Sequence, residues 1–215
     1  MSEKAPQATF SNELGYAMTK YASFGELARH EAQGRDFRVR RVERPDSRAA
    51  ILAPHGGKIE EGTSEIAALI AGADHSLFCF EGLKSYGRNR DLHITSHRFD
   101  HPDCLDMAAR RDIIVSVHGC MGHSRIFVGG LDFDLSGRLS IGLAAEGYVV
   151  VSEGHRYPGR HPFNICNRGL RKKGAQLEIT YDLRAPEHHP NIARAVRSAI
   201  ADFSDSFGSL SEYST

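Results

Sequence analysis

The chain has no tryptophan, and its four cysteines, Cys79, Cys104, Cys120 and Cys166, are widely spaced with no C-x-x-C pair among them. Cysteines in this arrangement, in a chain without a secretory leader, are expected to be reduced packing residues. Net charge is also missing: 27 basic side chains balance 27 acidic ones. This argues against general nucleic-acid binding, which shows a basic excess, and still allows a local basic groove for an anionic substrate. No apolar run approaches the ~18 residues of a membrane helix, so no membrane association is expected. The opening Met1-Ser2-Glu3-Lys4-Ala5-Pro6-Gln7 has no apolar core of a signal peptide. The product is therefore expected to be cytoplasmic as made, and to act outside the cell only after lysis or through another exit route. With 215 residues, 40% hydrophobic and 25% charged, the composition is that of one soluble globular domain.

What the chain does contain is two apolar runs that each end in a histidine followed by glycine. Ala49-Ala50-Ile51-Leu52-Ala53-Pro54 leads into His55-Gly56-Gly57, and Ile113-Ile114-Val115-Ser116-Val117 into His118-Gly119. Such runs read as buried strands, and the tips of strands are where open α/β sheets bind ligands. Glu60 and Glu61 follow the first histidine closely. Two histidines and one carboxylate are the protein ligands of many hydrolytic zinc sites. A lone strand-end histidine is more often structural, but glycines beside both leave room around the imidazole and free the backbone. Either glutamate could instead serve only the dipole of the helix that follows, and for Glu61 that reading is the better one.

Around these runs, strands and helices alternate. Phe24, Leu27 and Ala28 give helical spacing over 23–30, and 36–42 alternates as a half-exposed strand. A helix is predicted from Thr63 or Ser64 as N-cap to about Gly72, with Glu65 in its first turn. Strands are predicted at 76–81, 92–95, 124–128, 148–151 and 175–180. Further helices are predicted after His101-Pro102, near 135–146, and from His189-Pro190 with Ile192, Val196, Ile200 and Phe203 on one face. The class is α/β, with a parallel or mixed sheet covered by helices. Residues 1–20 read as a loosely held lead-in, 21–207 as a single domain and 208–215 as a tail.

Glu178 stands in Gln176-Leu177-Glu178-Ile179-Thr180, with Leu177 and Ile179 on the opposite strand face. A partly desolvated general base would explain a glutamate there; an exposed edge-strand face is the plainer alternative. Arg168, preceded by Asn167, has the planar fork that grips a carboxylate. Arg125 is a further candidate for an anionic substrate, whereas Arg171-Lys172-Lys173 reads as a solvated turn. His93, His97, His101, His123, His155 and His161 are scattered through loops, where any could orient a ligand.

Ala53-Pro54-His55-Gly56-Gly57-Lys58-Ile59-Glu60-Glu61-Gly62-Thr63-Ser64-Glu65 strongly resembles the opening motif of the poly-γ-glutamate hydrolase family of phages and bacilli. Phe80-Glu81-Gly82, Leu92 to Ser96, Val117 to Cys120, Asn164 to Arg168 and Gly174 to Glu178 resemble its later blocks in the same order, so that the likeness covers roughly residues 20–185. The resemblance implies an open, twisted, mixed sheet similar to that of zinc carboxypeptidases. It also implies cleavage of γ-glutamyl amide bonds in an anionic polymer, with one Zn²⁺ per chain held by His55, Glu60 and His118. Glu60, not Glu61, matches the His-Gly-Gly-x-Ile-Glu spacing. Glu178 falls at the position of a general base, and Asn167 and Arg168, with Arg125, are the candidate substrate contacts. A monomer is expected.

Two other readings compete. A zinc peptidase or amidase acting on cell-wall γ-glutamyl peptides would use the same metal site. A capsule-binding module without turnover would not need a base beside its ligands. The segment Gly122-His123-Ser124-Arg125-Ile126 lacks the final glycine of a serine-hydrolase nucleophile elbow, and is discounted.

Overall fold

The computed structural model describes residues 19–85 and 87–211; the lead-in through residue 18 and the last four residues lie outside the described residues. Seven strands form one mixed sheet: β1 (Phe37–Val42), β2 (Ala49–Gly57), β3 (Ser76–Gly82), β4 (Ile113–Cys120), β5 (Ile126–Gly130), β6 (Val150–Val151) and β7 (Ala175–Thr180). Their order across the sheet is β1-β3-β2-β4-β7-β5-β6. β1 runs antiparallel to β3 and β5 antiparallel to β7, while β3, β2, β4 and β7 form a parallel centre. The helices are α1 (Phe24–Leu27), α2 (Thr63–Ala71), α3 (Pro102–Ala109), α4 (Phe133–Ala145) and α5 (His189–Ser211).

The central strands are buried on both faces, which is why they read as continuous apolar runs. Ile51, Ala53, Val115, Val117, Leu177 and Ile179 face α2, α4 and α5, where Ile192, Val196, Ile200 and Phe203 of α5 meet them. Each of the buried valine, leucine, isoleucine and phenylalanine side chains among them contributes roughly 1.5–3 kcal/mol. Ala50, Leu52, Phe78, Phe80 and Ile114 face the other way, against Leu27 of α1 and Cys104 and Met107 of α3. No helix among the described residues is long and apolar enough to cross a membrane, and all four cysteines are buried and free.

β2 is flanked by β3 on one side and β4 on the other, so the chain changes winding direction there, the kind of point at which a crevice opens beyond the strand ends. Pairing of β2 with β4 stops at Leu52 opposite Ser116. Past that pair the two strands diverge, each still carrying its histidine.

Three local expectations are corrected. Residues 92–95 do not form a strand: a 3-10 turn, Asn89–Leu92, runs into extended loop, because Leu92 and Ile94 are drawn into the core beside α3 as single anchors. The first helix is one turn, capped by the Ser23 hydroxyl accepting the Glu26 N–H. The N-cap of α2 is Gly62 in the left-handed region (φ 90°), not Thr63 or Ser64. Those two hydroxyls are engaged in the preceding loop, Thr63 Oγ1 donating to the Glu60 carbonyl (2.8 Å) and Ser64 Oγ accepting the Gly57 N–H (3.2 Å).

Candidate metal centre and catalytic site

The site begins with a β-bulge. Between Ala53 and Gly56, three steps of β2 run against two of β3, from Cys79 to Glu81. Simple alternation would place His55 on the face of Ala53, toward α2 and α5. The extra residue inverts that sense and turns His55 to the face of His118. Pro54 lies in the bulge, where the lack of an N–H is tolerated. Beyond it, the Glu60 N–H bonds to the His55 carbonyl (2.9 Å) and closes a compact loop. That loop needs its glycines: a Cβ at Gly56 would stand 2.0 Å from Ser64 Oγ, and Gly57 has φ +59°.

His55 and His118 are both buried. His55 Nε2 lies 2.7 Å from the Ile94 carbonyl, which assigns the proton to Nε2 and directs Nδ1 inward. His118 Nε2 faces Ser96 Oγ at 3.4 Å, so it too presents Nδ1. The two Nδ1 atoms are 3.1 Å apart. Glu60 Oε1 lies 3.2 Å from His55 Nδ1, and Oε2 is 4.0 Å from His118 Nδ1 while accepting the Gly119 N–H at 2.7 Å.

Electrostatics follow from this geometry. Burial, reinforced by His55, pushes His118 down to about 3 and keeps it neutral. Burial also pulls His55 down, but the Glu60 carboxylate outweighs it and holds His55 above its ordinary value. Burial opposes the charge on Glu60, yet the His55 interaction keeps Glu60 well below the usual carboxylate range. Two neutral-capable imidazole nitrogens and an ionised carboxylate oxygen, converging with their outer atoms already bonded, are a donor set suited to a divalent metal.

The structure adds His93 to this cluster. Its Nε2 is 3.6 Å from Glu60 Oε1, and its ring lies 4.0 Å from that of His55, centroid to centroid. Donor atoms of His55, Glu60 and His93 all fall within 4.8 Å of one another. In the sequence, His93 was one of several loop histidines. The signal available was its place in the same short segment as Ile94 and Ser96, which together serve both strand-tip histidines.

Glu178 pairs in register with His118 across the parallel β4–β7 ladder, so the two side chains share a face. It is half-buried. Burial, and then repulsion from Glu60, raise its pKa well above the carboxylate norm. Gln176, two residues earlier on the same face, donates Nε2 to Glu178 Oε1 (3.3 Å) and to the Tyr157 carbonyl (3.2 Å), while its Oε1 accepts Asn164 Nδ2 (2.8 Å). Gln176 and Asn164 thus orient Glu178, a role that spacing alone did not reveal.

The candidate substrate contacts are not gathered in the same way. Asn167 is 1% exposed. Its Nδ2 donates to the Gly159 and His161 carbonyls, and its Oδ1 accepts the Leu131 and Gly174 N–H groups. It organises loops and has no group left for a ligand. Arg168 is half-buried, with its guanidinium 5.5 Å over the Phe163 ring. Arg125 is exposed, and its N–H is bonded to Thr180 Oγ1 near the end of β7.

Residues 21–201 match the poly-γ-glutamate hydrolase family. Among proteins of Bacillus subtilis (strain 168), the SPbeta prophage-derived YoqZ is 35% identical over 180 residues, which cover 82% of this chain and 64% of YoqZ. YndL is 37% identical over 172 residues, covering 79% of this chain and 67% of its own. The chain thus spans about two thirds of the length of these relatives. Its fold is similar to that of a bacteriophage poly-γ-glutamate hydrolase, with TM-score 0.83 and 27% identity over 87% of this chain and 99% of the other. A zinc-free YndL structure matches at TM-score 0.79 and 31% identity over 86% and 98%. A candidate carboxypeptidase A from Shewanella denitrificans OS-217 shares the fold alone, at TM-score 0.50 and 13% identity over 76% and 59%.

Proposed function

The chain belongs to the poly-γ-glutamate hydrolase family, and from that premise we propose that it is a zinc-dependent hydrolase of γ-glutamyl amide bonds, with Glu178 as general base. The observation that carries this reading is the convergence of His55 Nδ1, His118 Nδ1 and Glu60 on one point, with Glu178 in register beside His118. In this reading His55, Glu60 and His118 hold the zinc, and His93 stands beside Glu60. The zinc-free state named for the YndL structure supports the choice of metal.

When bound, zinc supplies Lewis acidity that polarises a carbonyl and brings the pKa of water to about 7. The protein does the rest. Ile94 and Ser96 fix the ring orientations of the two histidines, and the Gly119 N–H fixes Glu60. Glu178, held by Gln176, takes the proton of the attacking water and returns it to the leaving amine, a contribution of ~10²–10⁴-fold. The substrate class is an anionic polymer, met by arginines, with Arg125 beside the end of β7 and Arg168 as a second candidate, and the chain acts as a monomer.

Incubation with high-molecular-weight poly-γ-glutamate, followed by size-exclusion chromatography, tests the reading. Shortening of the γ-linked polymer with α-linked polyglutamate left intact is expected, weakening as salt rises. Equal cleavage of both polymers overturns the γ-specificity. Cleavage only of cell-wall γ-glutamyl peptides reassigns the substrate, and binding without cleavage makes the chain a capsule-binding module.

A further inference from the structure

Arg184 is 8% exposed and lies on the 3-10 turn Asp182–Arg184 directly after β7. A Cβ at Gly119 would stand 2.6 Å from its Cζ, 2.7 Å from Nη1 and 2.8 Å from Nε. The guanidinium is therefore laid against the backbone step that follows His118, and only glycine leaves space for it. On its other side Nη1 donates to the Glu61 carbonyl, next to Glu60. Its own carbonyl is bonded by His189 Nε2 at 2.8 Å, which anchors the turn. The cation is thus wedged between the two loops that carry the metal-centre residues.

The Tyr181 ring lies 5.4 Å from the Arg184 Cζ, but neither this ring nor the Glu61 carbonyl carries a full negative charge. Nε is buried and has no hydrogen-bond partner, and no carboxylate among the described residues lies within ion-pair distance of Arg184. The buried arginine Arg111, whose Nε is also without a hydrogen-bond partner, differs in having an ion pair with Glu43. A buried charge with an empty donor is costly unless an anion completes it, and the planar guanidinium is shaped for oxygen anions.

We propose that Arg184 binds an anionic oxygen of the substrate through its guanidinium. The proposal rests on the hydrolase reading for the identity of that substrate. Two oxygens share this chemistry: the free carboxylate of a glutamyl unit and the oxyanion that develops at the scissile carbonyl. The structure assigns the role to Arg184 rather than to Asn167, whose amide is fully engaged.

The test uses the zinc-loaded full chain and the variants Arg184→Met and Arg184→Lys. Thermal melting and zinc content are measured first, then kcat and KM on poly-γ-glutamate, and glutarate binding by calorimetry. Zinc content near wild type with kcat/KM lowered at least ~10²-fold in Arg184→Met is expected, with only partial recovery in Arg184→Lys because an ammonium cannot fork. A loss mainly in KM, with glutarate binding abolished, assigns the carboxylate; a loss mainly in kcat, with glutarate binding kept, assigns the oxyanion. Wild-type kcat/KM and glutarate affinity in Arg184→Met overturn the proposal, as does a loss that only tracks lost zinc. Should Arg184→Met not fold, the Arg184 Nε–H NMR signal of the wild-type chain is followed during glutarate titration, and the kcat–KM split is read from Arg184→Lys. A still signal together with an unchanged Arg184→Lys overturns it equally. Arg184-dependent glutarate binding in a chain that leaves poly-γ-glutamate intact would sink the hydrolase reading and keep the anion site.

Discussion

His55 and His118 present Nδ1 to Nδ1 at 3.1 Å, although they sit 63 residues apart on strands whose pairing has already ended at Leu52 and Ser116. The bulge at Ala53–Gly56 turns the first ring toward the second, and the segment His93 to Ser96 locks both from behind. An arrangement with outer nitrogens bonded and inner nitrogens facing is organised before any metal arrives.

Replacing His118 with alanine removes one of the two inward nitrogens. Zinc affinity is expected to fall by more than the roughly 10–100-fold typical of losing an outer-shell partner, with circular dichroism showing a folded chain. Competition against a chromophoric chelator measures it. Full zinc occupancy in this variant would remove His118 from the ligand set.

Ser96→Ala deletes the hydroxyl that faces His118 Nε2 and no inward donor. Zinc affinity is expected to drop within the roughly 10–100-fold range, with melting temperature near wild type in the metal-free chain. An unchanged affinity would show that burial alone orients His118.

Glu178→Gln keeps the side-chain shape and removes the proton acceptor. A fall in kcat of at least ~10²-fold with KM little changed is expected, and zinc content should stay at wild-type level. Single-turnover kinetics beside thermal melting separates this from destabilisation. Wild-type kcat in the folded fraction would end the role of Glu178 as base.

Asn167→Ala should act on stability instead of turnover. Its amide satisfies two N–H groups and two carbonyls, and each buried group left unpaired costs about 1–3 kcal/mol. At about 2–4 °C per kcal/mol for a chain of this size, melting should drop by several degrees or more, with KM of the folded fraction unchanged. A KM effect without a melting effect would restore Asn167 as a substrate contact.

Zinc binding should weaken as pH falls. In the metal-free chain Glu60 holds His55 above its ordinary pKa, so below that raised value a proton competes for the nitrogen that would hold the metal. His118, at about 3, stays neutral over the same range. Affinity is therefore expected to be highest above the His55 pKa and to fall about tenfold per unit below it. Glu60→Gln should move the onset to lower pH while weakening affinity throughout. Chelator competition across a pH series reads both effects.

The sequence by itself determined the central strands, because continuous apolar runs ending in glycine and histidine have few other ways to be buried, and it placed the candidate site residues on β2, β4 and β7. Leu177 and Ile179 facing α4 and α5 leave Glu178 on the opposite face, as alternation requires. Only tertiary structure decided the rest. A bulge is a one-residue slip between neighbouring strands, and nothing local in Ala53-Pro54-His55 states which partner registers against it. The segment 92–95 alternates like a strand, yet its residues anchor separately in the core, and that freed the Ile94 carbonyl and Ser96 to hold the two histidines. Asn167 looks like a binding residue until the loops around it claim each of its hydrogen bonds. Arg184 carries no motif; its meaning comes from what surrounds it, Gly119 on one side and the Glu61 carbonyl on the other, with one N–H left empty. Patterning fixes which face of a strand is buried, whereas convergence of side chains from distant segments depends on how those segments pack.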